Sequence, residues 1–335
     1  MIKVAMIGFG GIAKSAHLPP YLTLENKGVA KLVAVCDICP ERFDEKAEIN
    51  IGSSELTLKE DVKRYSDYKE MLQKEDIDMV DICVPTFLHP EITIYALNNG
   101  HNVLCEKPMA PSAELCQDMI TAAKQSGKKL MIGQCIRFFN VYNFLKDAIK
   151  NGTFGAVKGG VFNRTSAPPM WSWENWYMDY SKSRGCVADM HIHDIDMIRY
   201  LFGEPDSVSC HTNDIYSKKD YAHSTLRYKD FTMLAIGDWS QDGTNFSFGY
   251  RIAFEKATVD CTNGKVTVYP RGGEAYEPEL PADDCYYNEI EFFAESIANN
   301  SENTINPPES SALTIKLVDK LIESSDKNGD FVNLD

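Results

Sequence analysis

The stretch Ile2-Lys3-Val4-Ala5-Met6-Ile7-Gly8-Phe9-Gly10-Gly11-Ile12-Ala13 decides the fold. Its first half is a short apolar run of the kind that forms a strand buried on both faces. Its second half fits the pattern G-x-G-x-x-G/A at the opening of a helix. In that context Gly8 makes the tight turn, Gly10 lets the backbone approach a pyrophosphate, and Ala13 keeps helix and strand close. Helix-terminal N–H groups and the helix dipole favour the phosphates. Gly8, Phe9, Gly10, Gly11 and Ile12 are therefore candidate dinucleotide contacts, with a merely structural turn as the bland alternative.

Working outward, apolar runs at 3–7, 31–36, 79–84, 102–105 and 129–132 read as strands, and segments near 11–25, 40–49, 67–74, 89–99 and 111–126 read as the helices between them. Helical crossovers force neighbouring strands to be parallel, so residues 1–133 are expected to form a doubly wound α/β domain. From residue 134 the rhythm changes. A helix at 142–150, a strand at 156–165, a Trp-rich loop and a helix ending at Gly203 precede strands at 206–213, 220–228, 231–240, 247–256, 257–262 and 265–270. Asn263-Gly264 tolerates the positive φ of a two-residue hairpin. Helices near 286–299 and 309–325 follow, so 134–335 reads as an α+β domain with an open, mainly antiparallel sheet.

The chain of 335 residues suffices for about two domains with their own cores. A net charge of −15 opposes the phosphate neutralisation on which bulk nucleic-acid binding rests, so no nucleic-acid partner is expected. No run of about 18 apolar residues is present, and no export signal opens the chain, so no membrane association and a cytoplasmic location are expected. Ten cysteines scattered singly suit a reducing compartment. Cys36 and Cys39 have no second pair at zinc spacing, so no metal site is expected there.

Asp37 closes the second strand, where a carboxylate accepts hydrogen bonds from the adenosine ribose and repels a 2′-phosphate. NAD is favoured, and the nearby Arg42 keeps NADP open. The bland alternative for Asp37 is a cap for the segment from Pro40. Farther on, Asp189 and His193 are four residues apart in a segment with helical apolar spacing. Residues at i and i+4 share a helix face, so Asp189 is placed to orient the imidazole. His191 and His193, two apart, point to opposite sides and do not read as a metal pair. Asp194 and Asp196 read as structural, Asp196 pairing with Arg199 or Arg137. The loop 163–180 holds Trp171, Trp173, Trp176 and Tyr177, whose faces suit either the C–H face of a polyol ring or packing over the sheet.

The glycine turn at 8–13, Val84-Pro85-Thr86 with His89, Glu106-Lys107-Pro108, and 185–196 ending His193-Asp194-Ile195-Asp196 together make the chain similar to the Gfo/Idh/MocA oxidoreductases over nearly its whole length. The resemblance implies a Rossmann domain followed by a domain whose open sheet carries the substrate site and an oligomer interface, giving a homo-oligomer, a dimer or tetramer. It implies that Lys107 reaches both nicotinamide ribose and substrate, that Glu106 contacts the cofactor side, and that the Lys107–Pro108 bond is cis. It implies that Pro85, Thr86 and His89 line the dinucleotide. Asp189 and His193 match the family's aspartate and histidine, whereas Met190 and His191 depart from its smaller or apolar residues there. Arg137, Asn163 and Trp173 join Lys107, Asp189 and His193 as candidate substrate contacts.

Oxidising a secondary alcohol with NAD needs a base for the hydroxyl proton. Histidine titrates near pH 6.5 and lysine near 10.4, so Lys107 would have to fall by roughly 3 pH units, about 4 kcal/mol, to serve. His193 is therefore the expected base, and Lys107 the cation that stabilises the developing alkoxide. The expected function is an NAD(P)-dependent dehydrogenase acting on a sugar, inositol or related polyol. The alternatives are an NAD-dependent glycosidase using transient oxidation and a non-enzymatic dinucleotide-binding sensor.

Overall fold

Apolar strands alternating with helices build the first half of the chain in the computed structural model, which describes residues 1–49, 52–54, 56–282 and 284–334. In order these are β1 (Ile2–Ile7), α1 (Leu18–Asn26), β2 (Ala30–Cys36), the short hairpin β3 (Ala47–Ile49) and β4 (Gly52–Ser54), β5 (Lys63–Tyr65), α2 (Tyr68–Lys74), β6 (Met79–Ile82), α3 (His89–Asn98), β7 (Asn102–Glu106), α4 (Ala113–Ser126) and β8 (Leu130–Gly133). Six strands form one parallel sheet in the order β5-β2-β1-β6-β7-β8. Within that sheet the chain order reverses at β1, which sets a crevice at the strand ends beside it. The central strand β6 is buried along its whole length, as a strand covered by helices on both faces must be, and so is β8 at the edge of the sheet.

Local chemistry fixes the helix ends. Asp67 accepts from the N–H groups of Lys69 and Glu70 at the start of α2, and Ser112 from Leu115 N–H at the start of α4. Gly127, at φ +65, stops α4 in the left-handed conformation. The expected helix over 11–25 is not continuous: residues 13–17 form a wide π-turn before α1 begins. Pro19 and Pro20 have no N–H to donate back along the helix, so the regular ladder cannot run through them. The expected helix over 40–49 is also absent. A single 3₁₀ turn at Pro40–Phe43 gives way to strand at Ala47. Phe43 is its one large apolar anchor, too little buried face to hold a helix.

The later elements are α5 (Asn140–Lys150), β9 (Val157–Thr165), α6 (Tyr180–Ser183), α7 (Gly185–Asp189), α8 (Ile192–Phe202), β10 (Ser207–Asn213), β11 (Tyr221–Arg227), β12 (Thr232–Asp238), β13 (Ser247–Phe254), β14 (Ala257–Thr262), β15 (Lys265–Pro270), α9 (Cys285–Ala298), α10 (Pro308–Asp326) and β16 (Val332–Asn333). Eight of the strands form a sheet in the order β15-β14-β13-β9-β12-β11-β10-β16. Only β9 and β12 pair in parallel, and the other neighbours are antiparallel. Asn263 and Gly264, at φ +47 and +85, make the two-residue turn between β14 and β15. Helix α8 packs on β9 and β12, leaving the opposite face of the sheet open.

The chain divides into two units, Met1–Cys135 with Asp284–Ala312, and Ile136–Asp283 with Leu313–Asp335. The sequence division put all of 134–335 in the second. Residues 284–312 instead belong with the first, because α9 packs on α1 and β1: Tyr286 lies 5.7 Å from the His17 ring, and the Lys27 ammonium donates to the Tyr287 hydroxyl. Among the described residues no helix is long and apolar enough to cross a membrane.

Candidate active site

In the first unit the chemistry-bearing residues collect at the carboxyl ends of β1, β2, β6 and β7. Gly8 takes φ +88, and a Cβ there would stand 2.6 Å from the Cys83 carbonyl oxygen, so only glycine fits. Its N–H donates to the Cys36 carbonyl, which pins the turn to the end of β2. Phe9 N–H donates to Asp37 Oδ2 at 2.8 Å, and Cys39 N–H to Asp37 Oδ1 at 2.9 Å. Asp37 is thus buried and aimed by two backbone groups, each oxygen keeping a lone pair for a further donor. The segment from Pro40 takes no side-chain cap from it. Arg42 Nη1 lies 3.6 Å from Asp37 Oδ2. Gly10, Gly11 and Ile12 are partly exposed beside these groups. Lys14, passed over in the sequence, is buried: its ammonium donates to the Arg42 and Glu45 carbonyls and lies over the Phe9 ring. Burial lowers its basicity.

At the ends of β6 and β7 two turns are tied together. The Lys107–Pro108 peptide is cis. His89 is buried, with Nδ1 2.7 Å from the Pro108 carbonyl oxygen and Nε2 2.9 Å from that of Val84. Burial lowers the pKa of this imidazole despite the two carbonyls. Both ring nitrogens face main-chain oxygens, which places His89 between the turn at Pro85-Thr86 and the turn after Glu106. Pro85 and Lys107 are half-buried, and Thr86 is buried. Glu106 Oε2 accepts the Lys107 backbone N–H at 2.9 Å. Gly133, opposite Glu106 in β8, gives that side chain its room: a Cβ there would come within 3.2 Å of Oε1.

Sequence reasoning missed the residues beneath this edge. His17 is fully buried, with Nδ1 2.8 Å from Asp81 Oδ2 and Nε2 2.9 Å from Glu106 Oε1, and Tyr21 donates its hydroxyl to Asp81 Oδ2 at 2.8 Å. The readable signal was Asp81, a charge inside Met79-Val80-Asp81-Ile82, a strand buried on both faces. His17, Asp81 and Cys83 are of metal-ligand type, yet hydrogen bonds occupy them: Cys83 Sγ lies 3.6 Å from both partners, and burial pushes its thiol up.

In the second unit the helix expected to run through Asp189 and His193 is broken. α7 ends at Asp189, the His191 N–H donates five residues back to Cys186, His193 N–H donates three back to Met190, and α8 begins at Ile192. A wide turn thus replaces the regular helix expected between Asp189 and His193. Asp189 is buried and His193 half-buried. His191 turns to the sheet, Nε2 2.8 Å from Ser224 Oγ, where Gly237 makes its room, and Met190 packs with Cys186 and Trp239. Burial, with the Arg164 and His223 charges, pulls the His191 pKa down to about 3.

Two buried ion pairs seat α8. Arg137 makes a bidentate pair with Asp196, at 2.8 and 2.6 Å, which Thr314 completes, and Arg164 pairs with Asp194 at 3.1 and 3.0 Å. Asp196 thus takes Arg137, whose side chain is 1% exposed, which removes it from an open substrate surface. Asn163 alternates with the inward Phe162 and Arg164, so it lies on the open face of the sheet, away from α8 and His193. In the aromatic loop Trp176 stacks on Tyr177 at 4.0 Å and Tyr177 meets Trp239, so these two pack as core. Trp173 is half-buried at the start of the 3₁₀ turn, and Trp171 is exposed.

Residues 2–134 match the Gfo/Idh/MocA model described as an oxidoreductase family with an NAD-binding Rossmann fold, and residues 142–267 match that family's C-terminal domain. The chain is 32% identical over 220 residues to the 2,7-anhydro-N-acetylneuraminate hydratase of Escherichia coli (strain K12), covering 62% of this chain and 52% of that protein. It is 31% identical over 205 residues to the myo-inositol 2-dehydrogenase of Thermotoga maritima, covering 61% of this chain and 55% of that protein. The matched stretch thus spans about half the length of these two relatives. Among solved structures, a levoglucosan dehydrogenase in complex with NADH and levoglucosan superposes with a TM-score of 0.83 at 20% identity, covering 99% of each chain, a likeness of fold. With the glycine turn, the cis Lys107–Pro108 turn and the two sheets in place, the chain belongs to the Gfo/Idh/MocA family of oxidoreductases.

Proposed function

We propose that the protein is an NAD-dependent dehydrogenase that moves a hydride between a CH–OH carbon of a sugar, cyclitol or related polyol and the nicotinamide. The observation that carries this reading is the buried Asp37 carboxylate, locked to Phe9 N–H beside the Gly8 turn on the strand-end edge that also bears Glu106-Lys107. These residues fit the cofactor: a glycine turn with no room for Cβ, and a carboxylate with spare lone pairs for the ribose hydroxyls. NAD bound there supplies the hydride acceptor. Gly8, Phe9, Gly10, Gly11 and Ile12 hold the phosphate side, Asp37 with Arg42 the adenosine ribose, and Pro85, Thr86 and Glu106 the approach to the nicotinamide. His89 supports them through its two carbonyl contacts. The Asp37 charge at the ribose favours NAD over NADP.

His193, half-buried where α8 begins, takes the hydroxyl proton, and Asp189 orients it. The Lys107 ammonium stabilises the developing alkoxide and positions the substrate. Trp173 offers a ring face to the polyol, while Arg137 supports α8. The relatives act, by their names, on myo-inositol and on an anhydro sugar acid, which supports the polyol class. A homo-oligomer through the open sheet face, where Leu234 is 38% exposed, and a cytoplasmic location suited to ten free cysteines complete the reading.

The test is a panel of inositols, hexoses, anhydro sugars and glucosides with NAD and NADP, followed by the near-ultraviolet absorbance of the reduced nicotinamide. NAD reduction by at least one polyol is expected. Sugar release without net reduction would overturn the reading in favour of transient oxidation.

A further inference from the structure

Beneath the Lys107 turn, entirely within the first unit, runs a hydrogen-bonded chain of buried ionisable groups: Tyr21 to Asp81, Asp81 to His17, His17 to Glu106, and Glu106 to the Lys107 backbone N–H. Both imidazole nitrogens of His17 face carboxylate oxygens within 3 Å. An ionised carboxylate only accepts, so a neutral ring would leave one of its two contacts as lone pair against lone pair. The geometry is satisfied when His17 carries both protons and bridges Asp81 and Glu106 as a cation. A buried charge pair of this kind is weak evidence for stability, since it costs desolvation that an apolar trio would avoid. Its placement suggests another use.

We propose that His17 is a positioning residue for the reaction: it holds the Glu106 carboxylate, which in turn holds the main chain of Lys107, and so sets where the Lys107 ammonium is presented. This rests on the reading of Lys107 given above. The groups around the ring agree. Asp81 and Cys83 face it from β6, Glu106 from β7, Tyr21 reaches Asp81 from α1, and Tyr286 and Glu289 approach from α9. Burial opposes the charged ring, but Asp81 and Cys83, by charge and hydrogen bond, raise the His17 pKa well above its ordinary value. Burial holds the Glu289 acid well above the usual carboxylate range. Both Glu289 oxygens lack a hydrogen-bond partner among the described residues, as a neutral buried acid tolerates better than an ionised one.

The test uses the full chain with ¹⁵N-labelled histidine, the His17 signal being identified by its loss in His17→Gln. Both ring nitrogens should remain protonated from pH 6 to pH 8, and a neutral tautomer at pH 7 would overturn the proposal. Kinetics with NAD and the best polyol of the panel give the second readout. His17→Leu should lower kcat by roughly 10- to 100-fold, the scale of a small misplacement of a reacting group. His17→Gln, whose amide still donates toward Glu106, should recover most of that loss. Glu106→Gln and His17→Leu should be non-additive in the double variant if one acts through the other. Fully multiplicative losses, or a folded His17→Leu with wild-type kcat, would overturn the link; if His17→Leu does not fold, His17→Gln as impaired as Glu106→Gln does so. Lys107→Ala measured alongside separates the two claims: a fully active Lys107→Ala removes the Lys107 reading, whereas an impaired Lys107→Ala beside an unimpaired His17→Leu removes only the role of His17.

Discussion

Single residues at the strand ends are constrained by contacts that leave little choice of side chain. Gly8 is the clearest case, because both its φ of +88 and the Cys83 carbonyl 2.6 Å from an added Cβ exclude any larger residue. The positive φ alone costs roughly 1–2 kcal/mol for an L-residue. Gly8→Ala is therefore expected to weaken NAD binding at least about tenfold, since 1.4 kcal/mol is a factor of ten. A tryptophan-fluorescence titration checks this, and wild-type affinity in that variant would contradict the geometry. Gly8 and Asp37 were legible in the sequence because their chemistry is local: a turn, and a strand end a fixed distance along the chain. His17 was not, because its partners Asp81 and Glu106 lie 64 and 89 residues away and only the parallel sheet brings them together.

Elements show where local spacing is a poor guide. Asp189 and His193 have the spacing of one helix face, yet the chain opens into a wide turn between them and restarts at Ile192. The side chains that force this are tertiary partners of α8. Arg137 is tied to Asp196 and Arg164 to Asp194, while His191 is buried against Ser224 and Gly237. Arg137→Ala leaves Asp196 as an unpaired buried charge and should cost about 3–5 kcal/mol of stability, read as a fall in the urea midpoint; an unchanged midpoint would mean that Asp196 is not held as described. His191 gives a pH-dependent counterpart. Its folded pKa is pulled from 6.5 down to about 3, so the unfolded chain binds a proton below pH 6.5 that the folded chain does not. Its contribution to stability is complete above pH 6.5 and is lost as the pH falls toward 3. His191→Gln should therefore lose stability less steeply than wild type between pH 6.5 and pH 4, by up to about 1.4 kcal/mol per pH unit. Parallel curves would contradict this.

At the scale of the whole molecule, alternation of strands and helices and then a run of hairpins was enough to read a doubly wound parallel sheet followed by a mainly antiparallel one. The allegiance of α9 was not readable, because an amphipathic helix announces its apolar face but not which core will cover it; here Tyr286 and Tyr287 meet His17 and Lys27. The edge strand Lys63–Tyr65 escaped notice for a related reason: its exposed Lys63 and Arg64 look like loop, though charges on an edge strand are how a sheet avoids pairing with another. Both corrections adjoin the strand ends that carry the glycine turn and the Glu106-Lys107-Pro108 turn: Tyr286 meets His17, whose Nε2 faces Glu106, and the Tyr65 carbonyl accepts the Asp37 N–H. The central claim is that Lys107 and His193 carry the reaction of an NAD-dependent polyol dehydrogenase. Its most direct test is the rate of NADH formation by wild type, Lys107→Ala and His193→Ala, with NAD binding measured on the same samples. We predict that each variant loses roughly 10²- to 10⁴-fold in turnover while still binding NAD; wild-type turnover in either one would contradict the account.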